Sequence, residues 1–346
     1  MLGVRQLKKR SKYILAATII FVASLGFLFI QQNTFKMIEQ KIEIQTPNGV
    51  LKGTLALPTD YAGEIGLVVF VHGDGEINDT YDGGYKPLWE KLASVGYASL
   101  SWSKPGIHGS EGNWLDQSMD DRAEEVIQAI NWAKSLPMID DTRIGLWGAS
   151  QAGWVIPKVV KEEREIAFNI LVSPAINWIS QGKYNTSKSL EREGYTKEEI
   201  EEVEQYDNQV LDLLKSQSSY EDYLLMADKD RLISEERWSF IKKNYQSDAT
   251  EELKYINSPV HLVLGGQDIN VDVNNTELMY RQNVQSDLLS VFILPDADHS
   301  MLKKDIATST WRTYLTAIFF PRKLSDDKYL SDLTQFVSQM AHKPGI

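Results

Sequence analysis

The run Arg143-Ile144-Gly145-Leu146-Trp147 passes without a break into Gly148-Ala149-Ser150-Gln151-Ala152-Gly153. The first part reads as a short buried strand. The second has the composition of a sharp strand-to-helix turn: the backbone there is strained and the outgoing helix must pass close to the strand, so the neighbours of the serine have to be small. This junction predicts an α/β architecture in which Ser150 stands above a strand end at a helix N-terminus, where backbone N–H groups favour negative charge; an ordinary βα turn that happens to contain serine is the alternative.

The rest of the chain carries the same rhythm. Lys41–Thr46 alternates polar and apolar residues, Pro47-Asn48-Gly49 reads as a turn, and Val50–Leu57 continues as the second strand of a hairpin. Short apolar runs recur at Leu67–Val71, Tyr97–Trp102, Ile144–Trp147, Asn169–Val172, Val260–Leu264 and Ser290–Leu294. Met119, Ala123, Val126, Ile127, Ile130 and Ala133 recur at helical spacing, and Ser118 with Asp121 supplies a capping-box start. Strands alternating with helices predict a mostly parallel sheet covered on both faces. The rhythm breaks at about 177–254, rich in Glu, Lys, Gln and Tyr, where Glu198–Leu214 is an amphipathic helix. We read this stretch as a helical cap inserted in the sheet, with its mixed charges on a solvated face.

The N-terminal 36 residues form a separate unit, with 37–346 as the α/β body. Arg5, Lys8, Lys9, Arg10 and Lys12 precede a stretch, Tyr13–Phe35, without a charge. An apolar run of this length suits a membrane-spanning helix better than the shorter core of a signal peptide, and no clear A-x-A cleavage site follows it. A cleaved signal peptide, which would leave the body secreted, and a buried core helix are the alternatives. For an anchor, the basic cluster stays in the cytoplasm and the body lies outside. Setting aside the six basic residues up to Lys36, where no acid occurs, 30 Lys and Arg remain against 48 Asp and Glu, a net charge of −18. Such a body is not expected to hold nucleic acid or an anionic membrane surface by charge. Absence of cysteine excludes disulfides, thiolate metal sites and a cysteine nucleophile.

A serine nucleophile needs a base, and the base needs a carboxylate to fix its tautomer. Gly265-Gly266-Gln267-Asp268 follows one apolar run and Pro295-Asp296-Ala297-Asp298-His299 follows the next. Ser150, Asp268 and His299 therefore all fall at the carboxyl ends of strands, where reactive groups gather in open α/β sheets. On these residues the chain resembles the alpha/beta-hydrolase superfamily, in the branch of dienelactone hydrolases, acyl thioesterases and prolyl-oligopeptidase-like enzymes, over about Ile42 to Phe320. The resemblance implies Ser150 as nucleophile, Asp268 as acid and His299 as base. It also makes His72-Gly73-Asp74-Gly75 the oxyanion loop, with the Asp74 and Gln151 backbone N–H groups as donors. The loop Ser103–Ser110 resembles the family's D-x-x-G-x-G-x-S, but Ser103 replaces the aspartate and His108 a glycine, so no role is carried onto it. Ala152 stands where G-x-S-x-G has its second glycine.

Other residues compete for these roles. His108 is the rival base and Asp272 the rival acid. His72 is expected to orient its loop, His261 to sit in the core or at an edge, and His342 to lie in a solvated tail. Ser173 also ends a strand, but Pro174 follows it and no small-residue turn surrounds it. Trp178, Tyr206, Tyr220 and Tyr223 are candidates for a pocket lining, with helix packing the plainer role for each. No G-x-G-x-x-G, G-K-[ST] or H-E-x-x-H occurs, so no nucleotide, cofactor or metal site is expected. The expectation is a membrane-anchored extracytoplasmic serine hydrolase acting on a small acyl substrate, most simply a carboxylic ester. A thioesterase, acyltransferase or peptidase with the same triad, and an inactive tethered binding module, are the alternatives. Oligomeric state is not readable.

Overall fold

The computed structural model describes the backbone of residues 2–341 and the side chains of 13–341. Eight strands form one sheet: β1 (Ile38–Thr46), β2 (Gly49–Leu57), β3 (Ile65–Val71), β4 (Tyr97–Trp102), β5 (Ile139–Ala149), β6 (Phe168–Val172), β7 (Val260–Gly265) and β8 (Leu289–Leu294). Their order is β1-β2-β4-β3-β5-β6-β7-β8. The β1–β2 hairpin is antiparallel and β2 joins β4 antiparallel, whereas every pairing from β4 to β8 is parallel. Each strand foreseen from an apolar run is present, with its ends shifted by a few residues at most except at β5, which begins earlier, at Ile139.

The helices are α1 (Leu2–Asn33), α2 (Lys86–Ala93), α3 (Met119–Lys134), α4 (Ile156–Glu162), α5 (Trp178–Glu193), α6 (Lys197–Lys215), α7 (Tyr220–Met226), α8 (Glu235–Asn244), α9 (Val273–Asn283), α10 (Lys304–Ala307), α11 (Thr310–Phe319) and α12 (Asp327–Ala341). Ser118 starts α3 with a complete capping box: its hydroxyl accepts from the Asp121 N–H, and the Asp121 carboxylate accepts from the Ser118 N–H. The sheet buries both faces. Leu67, Val69, Leu146 and Leu262 pack with Val126, Ile130, Ile156 and Val159 of α3 and α4, while Val68, Phe70 and Ile170 pack with Trp89, Leu92, Leu333 and Val337 of α2 and α12. This two-sided burial explains why the parallel strands read as continuous apolar runs rather than alternating ones.

One region differs from the sequence expectation, and one alternative at the N-terminus falls away. The chain after Pro321 is not a solvated tail throughout: α12 buries Tyr329, Leu330, Leu333, Phe336 and Val337 at 3- and 4-residue spacing. His342 lies outside the described residues. At the other end, Tyr13–Asn33 of α1 is long and apolar enough to cross a membrane, and none of it is buried against the rest of the chain. A buried core helix is thereby excluded.

The sheet order turns back between β3 and β5. The chain leaves β3 for β4 on one side and returns to β5 on the other, which opens a crevice at the carboxyl ends of these two neighbouring strands. Val71 pairs with Gly148 across it. The residues that follow them, His72-Gly73-Asp74 and Ala149-Ser150, are consequently brought side by side.

Candidate active site

Ser150 adopts φ 54°, in the left-handed region that costs a non-glycine residue energy and that persists only when its surroundings over-determine it. The surroundings do so. A 3₁₀ turn, Ser150–Trp154, leads into α4, and the Ser150 carbonyl accepts from the Ala175 N–H at 2.9 Å. Gly153 passes so close to the chain after β6 that a Cβ there would lie 2.4 Å from the Ala175 carbonyl oxygen. Ala152 is fully buried in the core, so a methyl group is tolerated where glycine is usual.

His299 and Asp268 are brought together from the loops after β8 and β7. His299 Nδ1 and Asp268 Oδ2 are 2.8 Å apart. The other carboxylate oxygen accepts the N–H groups of Asn270 and Val271, at 2.7 and 3.0 Å, so Asp268 is fixed from two sides. Close contact of the two loops depends on Gly265, whose Cβ would lie 2.2 Å from the Asp298 carbonyl oxygen. Asp298 shapes the turn that carries His299, accepting from the Ser300 and Leu302 N–H groups. Ser150 and His299 line one cavity of about 540 Å³. Among the described residues His299 Nε2 has no hydrogen-bond partner, which leaves it available to a group in that cavity. An imidazole held by a buried carboxylate on one nitrogen and open on the other can remove a proton from a neighbouring hydroxyl.

The loop His72-Gly73-Asp74 is held by two buried basic side chains that the sequence did not single out. Arg122 of α3 donates to the His72 carbonyl at 2.6 Å and to Gln151 Oε1, and Lys104 Nζ donates to the Gly73 carbonyl at 2.6 Å. The Gly73 carbonyl is thereby turned to Lys104, and Gly73, Asp74 and Ser150 line one cavity. Burial, reinforced by the Arg122 guanidinium, pushes the Lys104 ammonium well below the usual lysine range. Burial likewise raises Glu125, which accepts at 2.7 Å from both Trp102 Nε1 and Gln117 Nε2. Arg122 was legible in principle, because it stands on the apolar face of α3 between Met119 and Val126.

The helical segment reaches the same place. Arg237 of α8 makes a two-pronged ion pair with Asp74, at 3.0 and 2.6 Å, and Gln151 Nε2 donates to Asp74 at 3.1 Å. On α5, the Tyr184 hydroxyl donates to the Asp268 carbonyl at 3.2 Å and Asn185 Nδ2 donates to the Ile269 carbonyl at 3.2 Å. A second cavity, about 320 Å³, meets Ser150 under this segment and is lined by Trp178, Gln181, Asn185 and Arg237. Of the four aromatic candidates only Trp178 lines it, stacked on Trp154 with centroids 4.8 Å apart. Tyr220 and Tyr223 stack within the segment, and Tyr206 lies under the Arg231 guanidinium.

The rival residues have other positions. His108 lines a separate cavity with Lys41 and Asp79. Asp272 caps α9, its side chain accepting from the Asn275 N–H. His72 is buried with its Nδ1 at 3.0 Å from the Tyr85 hydroxyl and its Nε2 at 2.5 Å from the Trp102 carbonyl, so it fastens the loop after β3. Burial pushes its pKa down to about 3. Ser173 is fully buried. His261 forms a look-alike chain, 2.8 Å from Ser290 Oγ and 2.5 Å from Asp332, at the amino ends of β7 and β8. There the Ser290 hydroxyl already donates to the Val260 carbonyl at 3.1 Å, which marks a structural link. Among the described residues no group of three His, Asp or Glu side chains has an arrangement suited to a metal ion.

Residues 48–300 match the family model of the X-Pro dipeptidyl-peptidases, S15 family. The chain belongs to the S15 family. Two bacterial proteins are similar to this S15 chain in part. YuxL of Bacillus subtilis (strain 168), an uncharacterized peptidase, is 28% identical over 160 residues, 44% of this chain and 24% of its own. An uncharacterized 31.7 kDa protein of the traX-finO intergenic region of Escherichia coli is 28% identical over 75 residues, 22% of this chain and 26% of its own. The S15 chain thus matches over about a quarter of the length of these curated relatives. Among solved structures, the Pyrococcus furiosus esterase PF2001 superposes with a TM-score of 0.56 at 18% identity, over 88% of this chain and 91% of that one. Est1E from Butyrivibrio proteoclasticus gives 0.52 at 15%, over 87% and 97%. At such identities the likeness is one of fold: the alpha/beta-hydrolase fold, mostly parallel and helix-flanked, as the sequence implied.

Proposed function

We propose that this S15-family chain is a membrane-anchored serine hydrolase that cleaves a carboxylic ester or related acyl compound through an acyl-enzyme. His299 Nε2 takes the Ser150 proton while Oγ attacks the carbonyl carbon. The oxyanion settles against the Asp74 and Gln151 N–H groups. His299 then gives the proton to the leaving alcohol, and a water molecule, deprotonated by the same imidazole, releases the acid and restores Ser150. Asp268 holds the imidazole and stabilises its charged form. The helical segment between β6 and β7 acts as a cap, and α1 spans the membrane with its basic end in the cytoplasm and the body outside.

The observation that carries the ester reading is the lining of the larger cavity. Beside Ser150 and His299 it presents Ile77, Leu88, Trp147, Val172, Met301 and Leu302, a wall suited to an acyl chain. The family name favours a second reading, a dipeptidyl-peptidase. Release of an N-terminal dipeptide calls for a free carboxylate to pair with the α-ammonium. Among the described residues lining either cavity the one acid is Asp74, and Arg237 already occupies both its oxygens. Comparison of p-nitrophenyl esters of graded chain length with X-Pro p-nitroanilides tests the choice. Turnover of esters and not anilides is expected, and the reverse preference would overturn it.

A further inference from the structure

α11 is an amphipathic helix turned inside out. Trp311, Tyr314, Leu315, Ile318 and Phe319 recur at i, i+3, i+4, i+7 and i+8, the spacing of a face that a soluble protein buries. Here that face points outward: Trp311 is 70% exposed, Tyr314 63% and Ile318 51%, and Phe320 extends the patch. No residue of α11 is buried. The side toward the body carries Thr313, whose hydroxyl donates to carbonyls of Ile306 and Ser309.

This face continues directly onto the apolar surface of α1. Phe319 meets Phe29 edge to face at 5.8 Å, and Asn33 Nδ2 donates to the Ile318 carbonyl at 3.2 Å. Arg322 locks the two together. It donates to the Gln31, Gln32 and Thr34 carbonyls at the C-terminal end of α1, where a cation also complements the helix dipole, and it is held in turn by Glu90 at 2.7 and 2.8 Å. The Phe29 contact lies four residues before the end of the apolar span at Asn33, about 6 Å along a helix. That is within the roughly 5–10 Å to which an in-plane helix sinks between headgroups and acyl chains. Trp311 and Tyr314 are the residue types enriched at that level, and the exposed Arg312 and Lys323 flank the stripe as its basic partners. On its inner side Thr313, with Leu324 and Ser325 just beyond α11, lines the cavity that holds Ser150 and His299.

We propose that α11 lies in the headgroup layer of the bilayer that α1 spans, so that one wall of the Ser150 cavity is the inner side of a membrane-embedded helix and amphiphilic acyl substrates enter from the lipid. The inference rests on the anchoring of α1. The charge-free face, its continuity with the span and its depth argue for lipid as its occupant rather than a second copy of the chain.

The chain has no cysteine, so Ile318→Cys and, on the far helical segment, Leu225→Cys each give one nitroxide site in the full-length protein. In vesicles of phosphatidylcholine with phosphatidylglycerol, the label at 318 is expected to collide with oxygen more than with a water-soluble nickel chelate, and the label at 225 to do the reverse. Flotation with the vesicles while the label at 318 remains as water-accessible as that at 225 would overturn docking alone. Spin–spin broadening at 318 in vesicles would assign the face to a second copy and overturn it too. Failure to float would overturn the anchor and this inference with it. Ile318→Asp in the same vesicles is expected to slow hydrolysis of a long-chain ester dissolved in the bilayer about tenfold, a difference of roughly 1.4 kcal/mol, with a water-soluble short ester turned over at the parent rate. An equal effect on both esters, or on neither, would overturn lipid-side entry.

Discussion

Arg237 holds both carboxylate oxygens of Asp74, at 3.0 and 2.6 Å, across the gap between the helical segment and the loop after β3. Asp74 is the residue proposed to donate its backbone N–H to the oxyanion, so a side chain on α8 would fix a donor in the loop after β3. The Arg237 guanidinium also holds the Asp74 carboxyl below the usual aspartate range, against the upward effect of burial.

Arg237→Met should therefore slow turnover of a short ester by roughly tenfold to a hundredfold, the cost of a small misplacement. Stability should change by less than about 1 kcal/mol, because the pair is partly exposed. Asp74→Asn should have a similar effect, and the double variant should cost no more than either one. Additive losses in kcat across this cycle would mean that the two residues act separately.

Lys104 donates to the Gly73 carbonyl at 2.6 Å, and on the proposed mechanism its role is positional. Lys104→Met removes the donor to the Gly73 carbonyl and should lower kcat while leaving KM for a short ester nearly unchanged, because the oxyanion forms only after binding. Lys104→Arg, which restores a donor of different shape and geometry, should recover part of kcat. A rise in KM at constant kcat would show that Lys104 serves the binding wall instead.

His72 makes folding sensitive to acid. Its pKa falls from 6.5 to about 3 on burial, so between these values the unfolded chain takes up a proton that the folded chain refuses. Stability from this group is full above pH 6.5 and declines as pH falls toward 3, by up to about 1.4 kcal/mol per pH unit. Denaturant midpoints from pH 7 to pH 4 should fall more steeply for the parent than for His72→Gln. Parallel curves would contradict the assignment.

Gly153→Ala should destabilise the fold by about 1–3 kcal/mol or more, since its methyl group meets a backbone oxygen at 2.4 Å that no rotamer can move. Urea unfolding measures this. A neutral result would show that the turn at Ser150 relaxes freely.

Much of this was legible in the chain itself, for a physical reason. Parallel strands buried on both faces are written as unbroken apolar runs, and Ser150, Asp268 and His299 could be placed by the strand ends they follow. The hydrogen bond between His299 and Asp268 needs only that β7 and β8 be neighbours, which they are. Arg122, Lys104 and Arg237 were not legible as a group, because they converge on His72, Gly73 and Asp74 from α3, the loop after β4 and α8, a meeting that only the three-dimensional fold brings about. The apolar stripe of α11 has the spacing of an ordinary core helix, and its outward direction is set by the body it packs on. α12 escaped notice for a related reason: its apolar positions have meaning only against α2 and one face of the sheet, which the chain builds far earlier in sequence.

The choice of histidine separates the site from its rivals. His299→Gln should abolish ester turnover, and Asp268→Asn should lower it on the order of 10³- to 10⁴-fold by disturbing the imidazole. His108→Gln, in a different cavity, should leave most of it. Retained activity without His299 would move the base elsewhere.

The most direct test of the account is the covalent bond it requires at Ser150. The full-length protein treated with a fluorophosphonate should gain one adduct by intact mass, mapped to Ser150 by peptide sequencing, and Ser150→Ala should gain none while keeping the parent's unfolding midpoint. An adduct on Ser173 or Ser290, or no adduct on a folded chain, would contradict the assignment of Ser150 as nucleophile.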